Sequence, residues 1–261
     1  MVAPLVNGLS FLEKEPKHFE CKDPDTGEWK PCTKQEICDR GLSKDDYRAD
    51  TNDDEYFDNW VEKYDLLCES KFKIGLIGSM FFIGIIATLL IIPPLADRYG
   101  RKLIFTISNI VSAIGQFGLM VSNNIYEAYF FAFLIGATFA GKVVVGLNYM
   151  LEFNRPKWAE TIIYLLLVAE SVATILMTVW YQFIDRGWFL LQLVCLILAI
   201  LTTIYYAVFV PESPKWLYTF FRFDESREHL QYVASFNGLP EAKQERIKNS
   251  KFDLELLEKQ K

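Results

Sequence analysis

Histidine is scarce in this chain: only His18 and His229 occur among 261 residues. Both stand in polar segments, so paired-histidine metal sites and histidine acid–base catalysis have no foothold. There is no Gly-x-x-x-x-Gly-Lys-Ser/Thr phosphate loop and no Gly-x-Gly-x-x-Gly fingerprint. Gly141-Lys142-Val143 lies inside an apolar run and is not a phosphate loop. The chain therefore does not read as an enzyme, and no cofactor or metal is expected. No Asn-x-Ser/Thr sequon occurs, which leaves a glycosylated ectodomain unsupported. Val2 to Val6 is too short for a secretory signal core and contains Pro4. An Arg-rich transit peptide is not visible either.

Apolar residues are plentiful, at 51% of the chain. Charge is distributed unevenly. Residues 1–70 carry 18 acidic and 9 basic side chains, and the other residues carry 15 and 18. An acidic head on an apolar body does not suit nucleic acid. Five apolar runs, at about 72–95, 103–121, 125–153, 158–183 and 188–210, each approach the roughly 20 residues that a bilayer demands. The expected fold is an all-α, polytopic membrane bundle of five helices. Its expected organisation is a Cys-containing head over 1–70, the bundle over 71–210 and a helical tail over 211–261. The head reads as loop-rich, with a turn at Asp23-Pro24-Asp25-Thr26-Gly27 and a weakly ordered charged run from Lys44 to Asp58. In the tail, Leu230, Val233 and Phe236 share a helical face behind Asp224 as cap.

Lys and Arg orient the bundle. The first connection holds Arg98, Arg101 and Lys102, and the third holds Arg155 and Lys157; the second holds none and the fourth only Arg186. By the positive-inside rule the first and third connections and the tail face the cytoplasm or its equivalent. Five spans then put the head on the opposite side. Cys21, Cys32, Cys38 and Cys68 all lie in that head, so disulfides in an oxidising compartment are expected. Four cysteines leave three connectivities open. Their spacing lacks the close pairs of structural zinc sites. Cys195, in an apolar run, reads as a small core hydrophobe.

Two intramembrane charges draw a binding hypothesis. Lys142 and Glu170 each sit about 16–20 Å from their helix ends at 1.5 Å per residue. Such charges are rare and usually paired, and they mark a substrate or ion path. A helix-to-helix ion pair is the structural alternative. Gly75, Gly78, Gly84, Gly136, Gly141 and Gly146 read as places of close helix approach.

Ala96-Asp97-Arg98-Tyr99-Gly100-Arg101-Lys102 follows the first run. It resembles the Gly-x-x-x-Asp-Arg-x-Gly-Arg-Lys loop of the major facilitator superfamily. Pro211-Glu212-Ser213-Pro214-Lys215-Trp216-Leu217 resembles the motif after the sixth helix of sugar and organic-ion carriers. Trp60, Tyr64-Asp65-Leu66-Leu67-Cys68, the pair Glu152 and Arg155, and Phe223 to Gly238 narrow the resemblance to organic cation/anion carriers. It covers about residues 57–240. It implies that the five spans match helices two to six of a twelve-helix carrier, with helix one and helices seven to twelve outside the chain. It also implies a charge network of Asp97, Arg98, Arg101, Glu152, Arg155, Glu212 and Lys215.

Two positions depart from the family pattern. The first Gly of the loop motif is Pro93, and the Arg expected four residues before Gly136 is Ala132. Transport by this chain alone is therefore not expected. The expectation is a transporter-derived accessory subunit of a larger membrane complex, a respiratory complex being one host. One half of a split carrier, completed by a partner chain, is the alternative. The implied partners are the lipid bilayer, other membrane subunits and a small organic ion. The mitochondrial inner membrane is expected ahead of the plasma membrane.

Overall fold

The computed structural model describes residues 8, 12–23, 27–51, 53 and 56–249. Pro24 to Thr26 of the expected turn, and residues 52, 54 and 55 of the charged run, lie outside them. Among the described residues, five helical segments are long and apolar enough to cross a membrane: Lys71–Leu89, Arg101–Val121, Ile125–Glu152, Pro156–Phe183 and Trp188–Phe209. The protein is thus an all-α membrane bundle, with one small sheet added in the head.

We number the helices α1 (Lys34–Arg40), α2 (Trp60–Lys63), α3 (Lys71–Leu89), α4 (Ile92–Tyr99), α5 (Arg101–Val121), α6 (Ile125–Ala137), α7 (Gly146–Glu152), α8 (Ala159–Phe183), α9 (Trp188–Phe209), α10 (Pro214–Thr219), α11 (Phe223–Phe236) and α12 (Glu241–Lys248). A wide π turn, Ala140–Val145, joins α6 to α7. The strands are β1 (Phe19–Lys22), β2 (Trp29–Cys32) and β3 (Tyr47–Ala49). The first span is shorter than its apolar run. It stops at Leu89, and α4 restarts with its prolines in the first turn. Proline has no N–H to give the preceding turn and clashes with the carbonyl four residues back, so Pro93 and Pro94 force the break.

The chain divides into two compact units. One comprises residues 1–84, 113–136 and 166–199; the other comprises 85–112, 137–165 and 200–261.

The first unit carries the head. Its antiparallel sheet has the order β2-β1-β3, with Phe19 opposite both Cys32 and Ala49. Disulfides join Cys21 to Cys32 and Cys38 to Cys68. Phe19, Cys21, Ile37, Ala49 and Leu67 form a buried cluster around them. A core this small needs covalent staples. Thr33 and Glu36 form a reciprocal capping box at the start of α1. Within the described part of the run after Lys44, one stretch is regular strand. Tyr47–Ala49 pairs with β1, and the Arg48 guanidinium lies 4.4 Å over the Trp29 ring.

The head and the helix ends of this unit are joined by polar contacts. The Lys63 ammonium donates to the Leu119 and Met120 carbonyls, both at 2.9 Å, which satisfies acceptors that the end of α5 leaves open. It also lies 4.4 Å over the Trp188 ring. Burial pulls Lys63 down to about 8. Tyr64 shares a 2.7 Å hydrogen bond with Ser122. The Trp188 N–H donates to the Asp58 carbonyl at 3.1 Å. Burial, helped by Asp185, raises the Asp58 carboxyl. Cys195 packs beside Met177, Tyr181 and Leu191, as a core hydrophobe would. At Gly136 a Cβ would collide with the backbone of Phe81, so α3 and α6 touch main chain to main chain. Gly75 has open space around it and permits no such contact.

The second unit holds α4, α7, α10 to α12 and the remaining parts of the spans. Ala96, Ile104 and Val145 form its buried cluster. Ser213 caps α10 by accepting from the Trp216 N–H at 3.2 Å. The tail helix differs from expectation. Asp224 lies inside the first turn of α11 and pairs with Arg227 at 2.5 Å, so it is not the cap. Phe223, Ser226 and Ala234 form the buried face, and Phe236 is 77% exposed. The Ser226 hydroxyl, which donates to the Pro214 carbonyl at 2.8 Å, sets that rotation.

Candidate functional site

The Asp-Arg-x-Gly-Arg-Lys turn and the Pro-Glu-Ser-Pro turn meet within the second unit. α5 begins directly after Gly100 and therefore presents unsatisfied amides. The Glu212 carboxylate accepts from the Arg101 N–H at 3.1 Å and from the Lys102 N–H at 3.0 and 3.2 Å. It also accepts from the Ser213 N–H at 2.9 Å. A carboxylate there gains from the positive end of the helix dipole as well. Gly100, at φ +109°, allows the approach; a Cβ would run into the Glu212 carboxylate.

Arg101 stands between two carboxylates. Its Nη2 lies 2.9 Å from Asp97 Oδ1 and its Nε lies 3.0 Å from Glu152 Oε2. The Arg101 and Glu152 side chains retain only 17% and 11% exposure, whereas Asp97 retains 65%. Exposed ion pairs contribute little, so Glu152 is the less screened partner, held by charge and proximity, since Arg101 Nε and Glu152 Oε2 do not meet in hydrogen-bond geometry. Three further bonds close the cluster. The Trp216 indole donates to the Asp97 carbonyl at 2.7 Å, and the Tyr149 hydroxyl donates to the Pro211 carbonyl. The His229 ring nitrogen lies 3.0 Å from the Glu212 carbonyl. The cluster holds three stretches of chain together.

Of the residues expected here, the structure gathers Asp97, Gly100, Arg101, Glu152 and Glu212, with Lys102 contributing its backbone. Arg98, Arg155 and Lys215 are exposed and stand apart from the cluster. Arg98 lies 5.5 Å over the Tyr99 ring. Arg155 follows the end of α7 in extended backbone, at φ −71° and ψ 143°, and this leads it away from Glu152. Trp216 and Tyr149 were not expected. An indole N–H beside a loop motif was the only available signal, because both acceptors are backbone carbonyls.

The two intramembrane charges lie in separate units. Lys142 sits in the π turn, where its ammonium donates to Ser112 Oγ at 2.6 Å. Ser112 is buried, at 4% exposure. The neighbouring Gly141 abuts the Ser108 hydroxyl, so both small residues let the backbones approach. Glu170 is exposed on α8. Among the described residues, no group of three or more His, Cys, Asp and Glu side chains is placed to hold a metal ion.

Comparison with known proteins agrees with this architecture. The family described as sugar (and other) transporter matches residues 35–255. Solute carrier family 22 member 1 of Oryctolagus cuniculus is 29% identical over 184 residues, covering 70% of this chain and 33% of the relative. An organic cation transporter-like protein of Drosophila melanogaster is 26% identical, covering 70% and 32%. A steroid transmembrane transporter of Oryctolagus cuniculus is 29% identical, covering 68% and 32%. The chain thus spans about a third of the length of the curated relatives it matches. The matched family, the five spans and the two clustered loop motifs together place this chain in the sugar (and other) transporter family of major facilitator proteins, on the side of the organic-ion carriers.

Proposed function

We propose that this chain is a carrier-derived integral membrane subunit that moves no solute as a single chain and serves a mainly structural role in a larger membrane complex. One observation carries the reading: α8 is left bare along a polar stripe. Only 6% of the apolar stretch of its span is buried, against 44% for the second and third spans. Bare apolar helix is at home in lipid, but Glu170, Ser171, Thr178 and Gln182 are exposed on it. At 100° per residue they fall within about 120° of arc. Ser171, Thr174 and Thr178 turn their hydroxyls back to carbonyls four residues earlier, at 2.9, 3.0 and 3.0 Å. The Glu170 carboxylate has no such recourse. Intramembrane carboxylates face protein or enclosed water rather than lipid, which supports a second protein surface against α8.

Pro93 and Ala132 support a structural role over transport. Pro93 stands where the family motif has a Gly, and Ala132 is buried where a coupling Arg would stand. The basic connections and the disulfide-bearing head support an orientation with the head on the exoplasmic side, which in a mitochondrial host is the intermembrane space. The second reading is one piece of a split organic-ion carrier. The same stripe favours it, since a polar helix face can line a solute path.

Purification from the native membrane in mild detergent, with identification of the co-purifying chains, tests both readings. A stoichiometric set of unrelated subunits is the expected result. A single partner carrying the remaining carrier helices would select the split transporter. Solute uptake by the isolated chain in liposomes would overturn the proposal.

A further inference from the structure

A second site lies in the first unit, where α5 ends and α6 begins. Gly118, Val121, Ser122, Tyr126, Glu127 and Phe130 line an open groove of about 530 Å³ together with Phe131. Tyr126, Glu127, Phe130 and Phe131 share one face of α6, because residues three and four apart are neighbours on a helix. The Phe131 ring lies against Gly118, where a Cβ would overlap it, and forms the floor. The Tyr126 and Phe130 rings are offered outward, at 68% and 59% exposure. Glu127 is the only charged side chain in the lining. Its Oε2 accepts one backbone N–H, from Asn123 at 3.2 Å. The nearby Lys73, whose carbonyl accepts the Tyr129 hydroxyl at 2.7 Å, is paired with Glu69 at 2.7 Å and leaves the groove's charge to Glu127.

We infer that this groove binds a lipid whose headgroup ends in a quaternary ammonium, with phosphatidylcholine as the ligand class. Aromatic rings and a carboxylate lining one groove attract a soft cation by the charge and by the ring quadrupoles. The groove opens at the ends of two spans, where headgroups lie and where aromatic rings collect. Val121, Gly118 and Phe131 continue it along the helices as an apolar track, which suits an acyl chain and gives a soluble cation nothing further to hold. The volume is in the range of small-molecule sites and accommodates a headgroup with its first methylenes.

Native mass spectrometry of the full chain, released from detergent mixed with equal amounts of dioleoyl phosphatidylcholine and dioleoyl phosphatidylglycerol, tests this. The expected result is retention of one phosphatidylcholine at about fivefold or more over phosphatidylglycerol. Glu127→Gln should bring it down to the phosphatidylglycerol level, and Phe130→Ala should lower it severalfold. Both side chains are exposed, and helix content by circular dichroism should stay unchanged. Lys73→Gln should leave retention as it is. Equal retention of the two lipids would overturn the inference, as would undiminished retention by Glu127→Gln. Displacement of the lipid by an equal concentration of choline chloride would assign the groove to a soluble cation and overturn it as well.

Discussion

Glu212 accepts the Lys102 amide proton with both carboxylate oxygens, across 110 residues of sequence. It thereby caps a spanning helix from a distant turn. Glu212→Ala removes a charged acceptor from the amides of Arg101 and Lys102 and should cost about 2–3 kcal/mol. Glu212→Gln should cost less, since the amide oxygen still accepts. Gly100→Ala attacks the same contact from the other side. Its backbone sits at φ +109°, and the added methyl meets the carboxylate, so a loss of about 1–3 kcal/mol is expected. Thermal unfolding in detergent, followed by circular dichroism, measures all three.

Gly136 and Gly75 form a matched pair. Gly136→Ala places a methyl on the Phe81 carbonyl, which is main chain and cannot swing aside. The expected loss is about 3 kcal/mol, at the upper end for overpacking. Gly75→Ala enters open space and should be neutral or stabilise by about 0.5–1 kcal/mol, because alanine is the better helix residue. Comparable losses at both sites would disprove the close α3–α6 contact.

Lys142 and Ser112 make the next test. Ser112→Ala leaves a membrane-embedded ammonium without its acceptor and should cost about 2 kcal/mol or more. Lys142→Met removes the charge at similar volume and should cost less. If Lys142→Met proves the more damaging, the lysine does more than satisfy a serine, and a role in a solute path gains ground.

The Lys63 contact predicts a pH dependence. Burial lowers its folded pKa to about 8, below the value of about 10.4 for an unfolded lysine. Between these values the unfolded chain binds more protons than the folded one, so stability rises with pH. Urea unfolding of the head, read by tryptophan fluorescence from pH 7.5 to 10, should shift its midpoint upward. Lys63→Met should flatten that component. A midpoint that falls with pH in the native chain and is unaffected by the substitution would remove Lys63 from this role.

The spans were the most readable part of the sequence, because a bilayer demands long apolar runs and little else produces them. The break before α4 was also written there, as Pro93-Pro94, although the apolar run continues past it. Head structure was harder to read. Its core rests on a handful of residues such as Phe19, Ile37 and Leu67, held by two staples whose pairing no spacing rule dictates. At the candidate site, Asp97, Arg101 and Glu152 were visible as charges inside recognisable motifs. The partners of Glu212, Trp216 and Tyr149 were not, because they are main-chain groups that every residue carries. Arg155 misled for a related reason. Three residues from Glu152 would make a neighbour on a helix, but α7 has already ended.

The cap that Glu212 places on α5 has a consequence for synthesis. A ribosome delivers the Arg101 and Lys102 amides long before it reaches residue 212. Until then, the start of this helix must borrow water or a headgroup phosphate as acceptor. This contact can therefore form only after residue 212 has been made, so the lock on the start of α5 comes later than the segment it locks.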